Sequence, residues 1–259
     1  MPYPLMPKVS SIPPPAWPVV LFDSVFSPRN EVVNGSLQFN SGNPANRWRS
    51  YAPRHDNGGF FVSANPGRWQ HAPRLMQPAV FLDRDGTLIE DKDYLHKPEE
   101  VVIFPGAIEA LKRLQDAGFK LVMVTNQSGV GRGYFTMADV DKVHEHIQAL
   151  LARSGVSLEK IYVAPEAPDQ PSRGRKPSPQ FLFDARDQLN LDLGASYMIG
   201  DKLIDLECGW NAGVKKSILV RTGYGAGIER KSGDQLTAAI LVDGMGQAAE
   251  WILANLTSD

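Results

Sequence analysis

Two carboxylates two residues apart, Asp83 and Asp85, close the short apolar run Ala79-Val80-Phe81-Leu82, and Gly86 and Thr87 follow. Crowded carboxylates repel, so such a pair makes sense when a cation sits between them or one holds a proton. One can then attack as a nucleophile while the other handles a proton. If strand geometry persisted, both side chains would point the same way, because residues i and i+2 share a face. A solvated turn has the same spelling, so the pair alone does not decide. Three later stretches add to it. Thr125-Asn126-Gln127-Ser128-Gly129 brings a hydroxyl, two amides and glycine-flanked N–H groups that suit an oxyanion. Arg173-Gly174-Arg175-Lys176-Pro177 puts cations before a predicted helix start, where they make sense with an anion between them and the helix. Gly200-Asp201-Lys202, with Asp205 beyond, supplies acids that would complete a hard-cation site facing Asp83 and Asp85. Magnesium prefers such oxygen ligands together with a substrate phosphate.

The elements that must position these groups alternate between strand and helix from residue 78 onward. Strands are predicted at Ala79–Leu82, Phe119–Val124, Ile161–Val163, Ser196–Ile199 and Ser217–Val220. Helices are predicted at Gly106–Ala117, Asp139–Arg153, Ser178–Leu189 and Ala248–Leu256. A further helix after Asp205 would carry Cys208. This alternation implies an α/β fold, a Rossmann-like parallel sheet with helices on both faces and right-handed crossovers. Each chemical stretch follows a strand, and ligands of such sheets bind in the crevice at the strands' carboxyl ends. The segments between the motifs are filled by core elements and leave no room for a large cap domain.

Composition narrows the function. A net charge of −2 over 259 residues gives no reason to expect nucleic-acid or anionic-membrane binding. The single cysteine, Cys208, excludes an internal disulfide and any multi-cysteine metal site. No apolar run approaches the ~20 residues of a membrane span, and prolines interrupt what would be the apolar core of a signal peptide. These features predict a cytoplasmic monomer. Residues 1–76 differ from the rest: they hold twelve of the twenty prolines, three tryptophans, and strand-like stretches at 19–22 and 59–62. They are read as an extension of unknown role, which packs on the main domain or precedes a true start at Met76. Residues 77–259 form the catalytic domain. His55 and His71 lie in the extension without a chemical partner.

In this order, the four motifs are similar to those of the haloacid dehalogenase superfamily of phosphohydrolases. Phe81 to Thr87, Val124 to Gly129, Gly131 to Thr136 and Ser196 to Lys202 resemble, more closely, the D-glycero-D-manno-heptose 1,7-bisphosphate 7-phosphatases, and the related histidinol-phosphate phosphatases share most of them. The resemblance covers about residues 78–225. It implies a magnesium-dependent phosphatase acting through an aspartyl phosphate on a small phosphorylated metabolite. Asp83 would be the nucleophile and Asp85 the general acid and base, while Thr125 and Lys176 would hold the phosphoryl oxygens. Asp83, Asp85 (through its backbone carbonyl) and Asp201 would ligate the metal. Asp91, Lys92, Asp93, Tyr94, Asn126, Gln127, Ser128, Arg175 and Lys202 match substrate-contacting positions, and Arg132 would add to specificity. A non-catalytic sugar-phosphate-binding protein is the alternative of another class, which the presence of Asp83, Asp85 and Asp201 disfavours.

One departure stands out. The resembling enzymes carry a zinc loop of three cysteines and a histidine just before the Arg-Lys-Pro motif. Here residues 163–174 contain neither, so no zinc is expected, and prolines would stiffen the loop instead. The changed loop leaves heptose bisphosphate and histidinol phosphate both open as substrates. Among the other candidates, Cys208 is expected to be packed, His144 and His146 to be solvated or capping, and His96 to lie in the loop after the first strand.

Overall fold

The computed structural model describes residues 76–256. The strand-like stretches at 19–22 and 59–62, His55, His71 and the extension up to residue 75 lie outside the described residues. Six parallel strands form one sheet in the order β3-β2-β1-β4-β5-β6. They are β1 Gln77–Leu82, β2 Lys120–Asn126, β3 Lys160–Ala164, β4 Leu191–Gly200, β5 Lys216–Val220 and β6 Ile240–Val242. Seven α-helices connect and flank them: α1 Ala107–Asp116, α2 Ser128–Gly131, α3 Met137–Ala152, α4 Gln180–Leu189, α5 Leu203–Ala212, α6 Gly225–Ser232 and α7 Met245–Ala254.

The central strand is apolar on both faces because both are covered. Val80 and Leu82 enter one core with residues of α1, α3 and α7. Ala79 and Phe81 enter a second core with residues of α4 and α5. All four side chains are fully buried. Burying each large apolar side chain stabilises the fold by about 1.5–3 kcal/mol. The α/β expectation therefore holds, and no large cap domain interrupts the described residues.

The differences from the sequence reading are local. β2 continues through Thr125 and Asn126, two residues beyond its predicted end at Val124. The polar side chains do not end the strand, because β3 still pairs with it there. β4 starts at Leu191 and bears an irregularity between its two pairings with β1. α3 starts at Met137, where Thr136 and Asp139 form a capping box that fixes its first turn. α4 starts at Gln180, with the Ser178 hydroxyl accepting from the Gln180 N–H at 3.3 Å. The short helices α2 and α6 and the three-residue strand β6 carry too little periodic pattern to be read from sequence.

The strand order places the topological switch between β1 and β4. β2 and β3 lie on one side of β1, and the chain then returns to the other side for β4. The crevice at the carboxyl ends of β1 and β4 is therefore where this architecture binds ligands.

Candidate active site

Asp83 directly follows β1 and Asp201 directly follows β4, so the switch point is acidic. Asp83, Asp201 and Asp205 are all buried, with one carboxylate oxygen of each within 4.8 Å of the others. Two ammonium groups meet them. Lys176 Nζ lies 2.6 Å from Asp83 Oδ1 and 2.6 Å from Asp205 Oδ1. Lys202 Nζ lies 3.2 Å from Asp91 Oδ2 and 3.9 Å from Asp201 Oδ1. Burial alone would lower the proton affinity of Lys176, but Asp205 and Asp83 outweigh it and hold the ammonium charged.

Asp201 is walled in by backbone. Gly86 (φ +84°) and Gly223 (φ +54°) both approach so closely that a Cβ on either would overlap Asp201 Oδ2. The Tyr224 N–H donates to that oxygen at 2.9 Å. The other oxygen, Oδ1, is buried with no hydrogen-bond partner. Burial, and next the Asp83 carboxylate, push the Asp201 carboxyl up to about 7 against the opposing charge of Lys202. An unmet buried oxygen, facing two further carboxylates, fits a hard divalent cation.

Asp85 does not join this cluster. β1 has ended at Leu82, so the i, i+2 strand relation no longer applies, and other partners hold the Asp85 carboxylate. Arg84 Nε donates to Asp85 Oδ2 and Arg84 Nη2 to Asp85 Oδ1, each at 3.0 Å. Gln127 Nε2 donates to Asp85 Oδ2 at 2.9 Å and to Thr125 Oγ1 at 2.9 Å. These side-chain contacts leave untouched the backbone carbonyl of Asp85, which is the ligand expected of it.

The clusters open into two connected spaces. A recess of about 40 Å³ is lined by Asp83, Asp85, Asn126, Lys176, Lys202 and Asp205, together with Ile204. A wider cavity of about 240 Å³ shares Asp85, Asn126 and Lys202 with it. Asp91, Asp93, Tyr94, Gln127 and Ser128 line the wider cavity, as the sequence predicts, and so do Arg84 and Tyr224, which it did not single out. Asp93 and Tyr94 have positive φ values of 37° and 60°, so the loop that carries them is held in a strained conformation. Asn126 bridges to the cation loop: its Oδ1 accepts from the Lys176 N–H at 3.0 Å, and its Nδ2 donates to the Lys176 carbonyl at 3.2 Å.

Three predicted substrate residues lie elsewhere. Lys92 Nζ donates to the Glu100 carbonyl at 2.8 Å. Arg175 Nη1 donates to the Glu166 carbonyl at 3.0 Å, which fixes the loop after β3. Arg132 is exposed at the end of α2 and close enough to Arg175 to disfavour its charge, after burial. His96 Nδ1 meets the Tyr94 carbonyl at 2.9 Å and its ring stacks on Phe135 at 5.2 Å, so it braces the loop. Cys208 is buried, as expected. His144 is not solvated: it is buried, with Nε2 3.3 Å from Arg84 Nη1. The signal was available, since residue 144 falls four after Val140 and three before Ile147, two apolar stripe positions.

Residues 93–213 match the haloacid dehalogenase-like hydrolase family model. The D-glycero-beta-D-manno-heptose-1,7-bisphosphate 7-phosphatase of Yersinia pestis is 38% identical over 186 residues, covering 69% of this chain and 91% of that one. The chain belongs to the haloacid dehalogenase-like hydrolases. The Escherichia coli K12 enzyme of the same name is 44% identical over 153 residues, 56% of this chain and 80% of that one. Among solved structures, the D,D-heptose 1,7-bisphosphate phosphatase of B. bronchiseptica, complexed with magnesium and phosphate, superposes with a TM-score of 0.63. It is 32% identical, and the match spans 69% of this chain and 99% of that one. Among the described residues no helix is long and apolar enough to cross a membrane.

Proposed function

We propose that this chain is a magnesium-dependent phosphatase that removes the 7-phosphate of D-glycero-D-manno-heptose 1,7-bisphosphate. The observation that carries it is the recess in which Lys176 Nζ stands 2.6 Å from Asp83 Oδ1, opening into a polar cavity large enough for a sugar. The relatives and the solved neighbour that carry this activity in their names support the substrate. The composition adds a cytoplasmic monomer to the reading.

Asp83 is the nucleophile. Its oxygen attacks phosphorus, the bond from phosphorus to the sugar oxygen breaks, and an aspartyl phosphate forms. Asp85 gives its proton to the departing alkoxide. It then takes one from the water that attacks the aspartyl phosphate, and inorganic phosphate leaves with Asp83 restored. Lys176 and the Thr125 hydroxyl hold the phosphoryl oxygens. Asp83, Asp201 and the Asp85 carbonyl would hold magnesium, with Asp205 beside them; the ion supplies charge neutralisation of the phosphoryl oxygens. Asp91, Asp93, Tyr94, Asn126, Gln127, Ser128 and Lys202 face the sugar. Lys92, Arg132 and Arg175 act at its outer margin.

Zinc does not fit the loop after β3. Its shape comes from Ser172 Oγ donating to Glu166 Oε2 at 2.7 Å, Gln170 Oε1 accepting from the Ala167 N–H at 2.8 Å, and Arg175 on Glu166. The test is turnover of heptose 1,7-bisphosphate and histidinol phosphate by the purified protein with magnesium. Heptose bisphosphate should be preferred, chelation should abolish activity, and added magnesium should restore it. A tenfold or greater preference for histidinol phosphate would overturn the substrate.

A further inference from the structure

We infer that Arg84 and His144 are positioning residues that aim the Asp85 carboxylate and leave its Oδ1 as the oxygen that exchanges the proton. The inference goes beyond the reading above and rests on it for the role of Asp85.

Arg84 is 1% exposed and sits between two functional aspartates. Burying a guanidinium is expensive unless all its N–H groups are met. Here they are shared out. Nε and Nη2 grip both oxygens of Asp85. Nη2 also reaches the Leu95 carbonyl at 3.3 Å and Gln127 Oε1 at 3.0 Å, and Nη1 meets His144 Nε2 at 3.3 Å. A planar fork that spans four partners has one orientation, which an ammonium could not reproduce.

Two consequences follow from donor and acceptor chemistry. Because Arg84 occupies Gln127 Oε1, the Gln127 amide must turn its N–H groups the other way, onto Asp85 Oδ2 and Thr125 Oγ1. Asp85 Oδ2 then accepts two hydrogen bonds, whereas Oδ1 accepts one and keeps room for another. Because Arg84 Nη1 can only donate, His144 Nε2 must accept, so the imidazole is neutral with its proton on Nδ1. Burial, and then the Arg84 charge, hold His144 down to about 3. His144 stands on α3, whose Val140, Val143, Ile147 and Leu151 are fully buried. The chain of contacts thus runs from a rigid helix to the proton-transfer group, as preorganised sites require.

The experiment compares two substrates. Heptose bisphosphate has an alkoxide leaving group that needs a proton, whereas p-nitrophenyl phosphate releases a stable phenolate. His144→Leu removes the acceptor, His144→Gln keeps one, and Arg84→Lys keeps the charge but not the fork. His144→Leu and Arg84→Lys should lower kcat for the sugar phosphate about 10–100-fold, the usual range for outer-shell partners, with KM within about twofold. First-turnover release of p-nitrophenolate should stay within about threefold, since that step needs little protonation. His144→Gln should recover kcat. Arg84→Lys carries the test if His144→Leu does not fold. Equal losses on both substrates in the first turnover, an unchanged sugar-phosphate kcat, or an effect confined to KM would each overturn the inference. Phosphate release by the wild type tests the phosphatase reading separately: a wild type inert toward both the sugar phosphate and the aryl ester ends that reading and the role of Asp85 with it.

Discussion

Two buried polar clusters meet at the end of β1, one on Asp83 and the other on Asp85. Around Asp83, the carboxylates of Asp83, Asp201 and Asp205 face the ammonium groups of Lys176 and Lys202, and the balance is negative. Asp201 Oδ1 there has no hydrogen-bond partner. Around Asp85, one guanidinium faces one carboxylate, and the amide, hydroxyl and neutral imidazole meet the other groups, leaving one acceptor position on Asp85 Oδ1 open. Both clusters are costly to bury, and the difference shows what each is for. The negative, unsaturated cluster is completed by a cation and a phosphoryl group. The Asp85 cluster is held by the protein's own donors with only Oδ1 left open, so its use is to hold that side chain still and aim that oxygen.

The sharpest way to break this comparison is to remove one aspartate from each cluster. Asp83→Asn keeps shape and removes the nucleophile, so activity should fall on the order of 10⁶-fold, the scale for losing an activated nucleophile. The loss should be equal for sugar and aryl phosphates. Measurable turnover would point to direct attack by water. Asp85→Asn removes only the proton exchange, worth about 10²–10⁴-fold. That loss should shrink for p-nitrophenyl phosphate, and equal losses on the two substrates would argue against separate duties for the two clusters.

How much of this contrast was legible beforehand depends on where the backbone changes. The first cluster could be read, because Asp83 and Asp201 follow apolar strands and fall at the switch point that the strand–helix alternation dictates. The second could not, because the strand ends at Leu82, as predicted, and beyond it no periodicity tells that the Arg84 guanidinium folds back onto Asp85. Arg84 looked like the spacer between two acids. His144 was expected to be solvated or capping, although its spacing from Val140 and Ile147 places it on the buried face. Position in a motif does not reveal, either, that the long side chains of Lys92 and Arg175 reach back to backbone carbonyls. α6 and β6 escaped because their few residues give no period to detect.

A smaller effect separates the clusters without any assay of turnover. Asp201→Asn removes a carboxylate that burial and Asp83 disfavour, so the metal-free variant should melt above the metal-free wild type. For a domain of this size each kcal/mol is worth about 2–4 °C. In excess magnesium the order should reverse, because the wild type gains the free energy of ion binding and the variant gains less. Thermal unfolding with chelator and with magnesium checks both halves. A variant that melts lower under both conditions would mean that Asp201 is satisfied within the protein alone.

The smallest expected effect belongs to the Asp85 cluster and appears as a slope. His144 ordinarily titrates near 6.5, and in the folded protein burial and Arg84 hold it down to about 3. Between these values the unfolded chain binds a proton that the folded chain refuses. Stability must therefore fall as pH drops below 6.5, by about 1.4 kcal/mol per unit for one proton. Other acids tilt the whole curve, so the informative quantity is the difference between wild type and His144→Leu. At pH 7 the variant should be the less stable, because Arg84 Nη1 loses its acceptor in a buried site. On going to pH 5 the gap should narrow, since the variant has no imidazole to protonate on unfolding. Urea unfolding of both proteins at pH 7, 6 and 5 measures it. Parallel curves would mean that His144 accepts a proton while folded, which a donor-only guanidinium nitrogen 3.3 Å away does not allow.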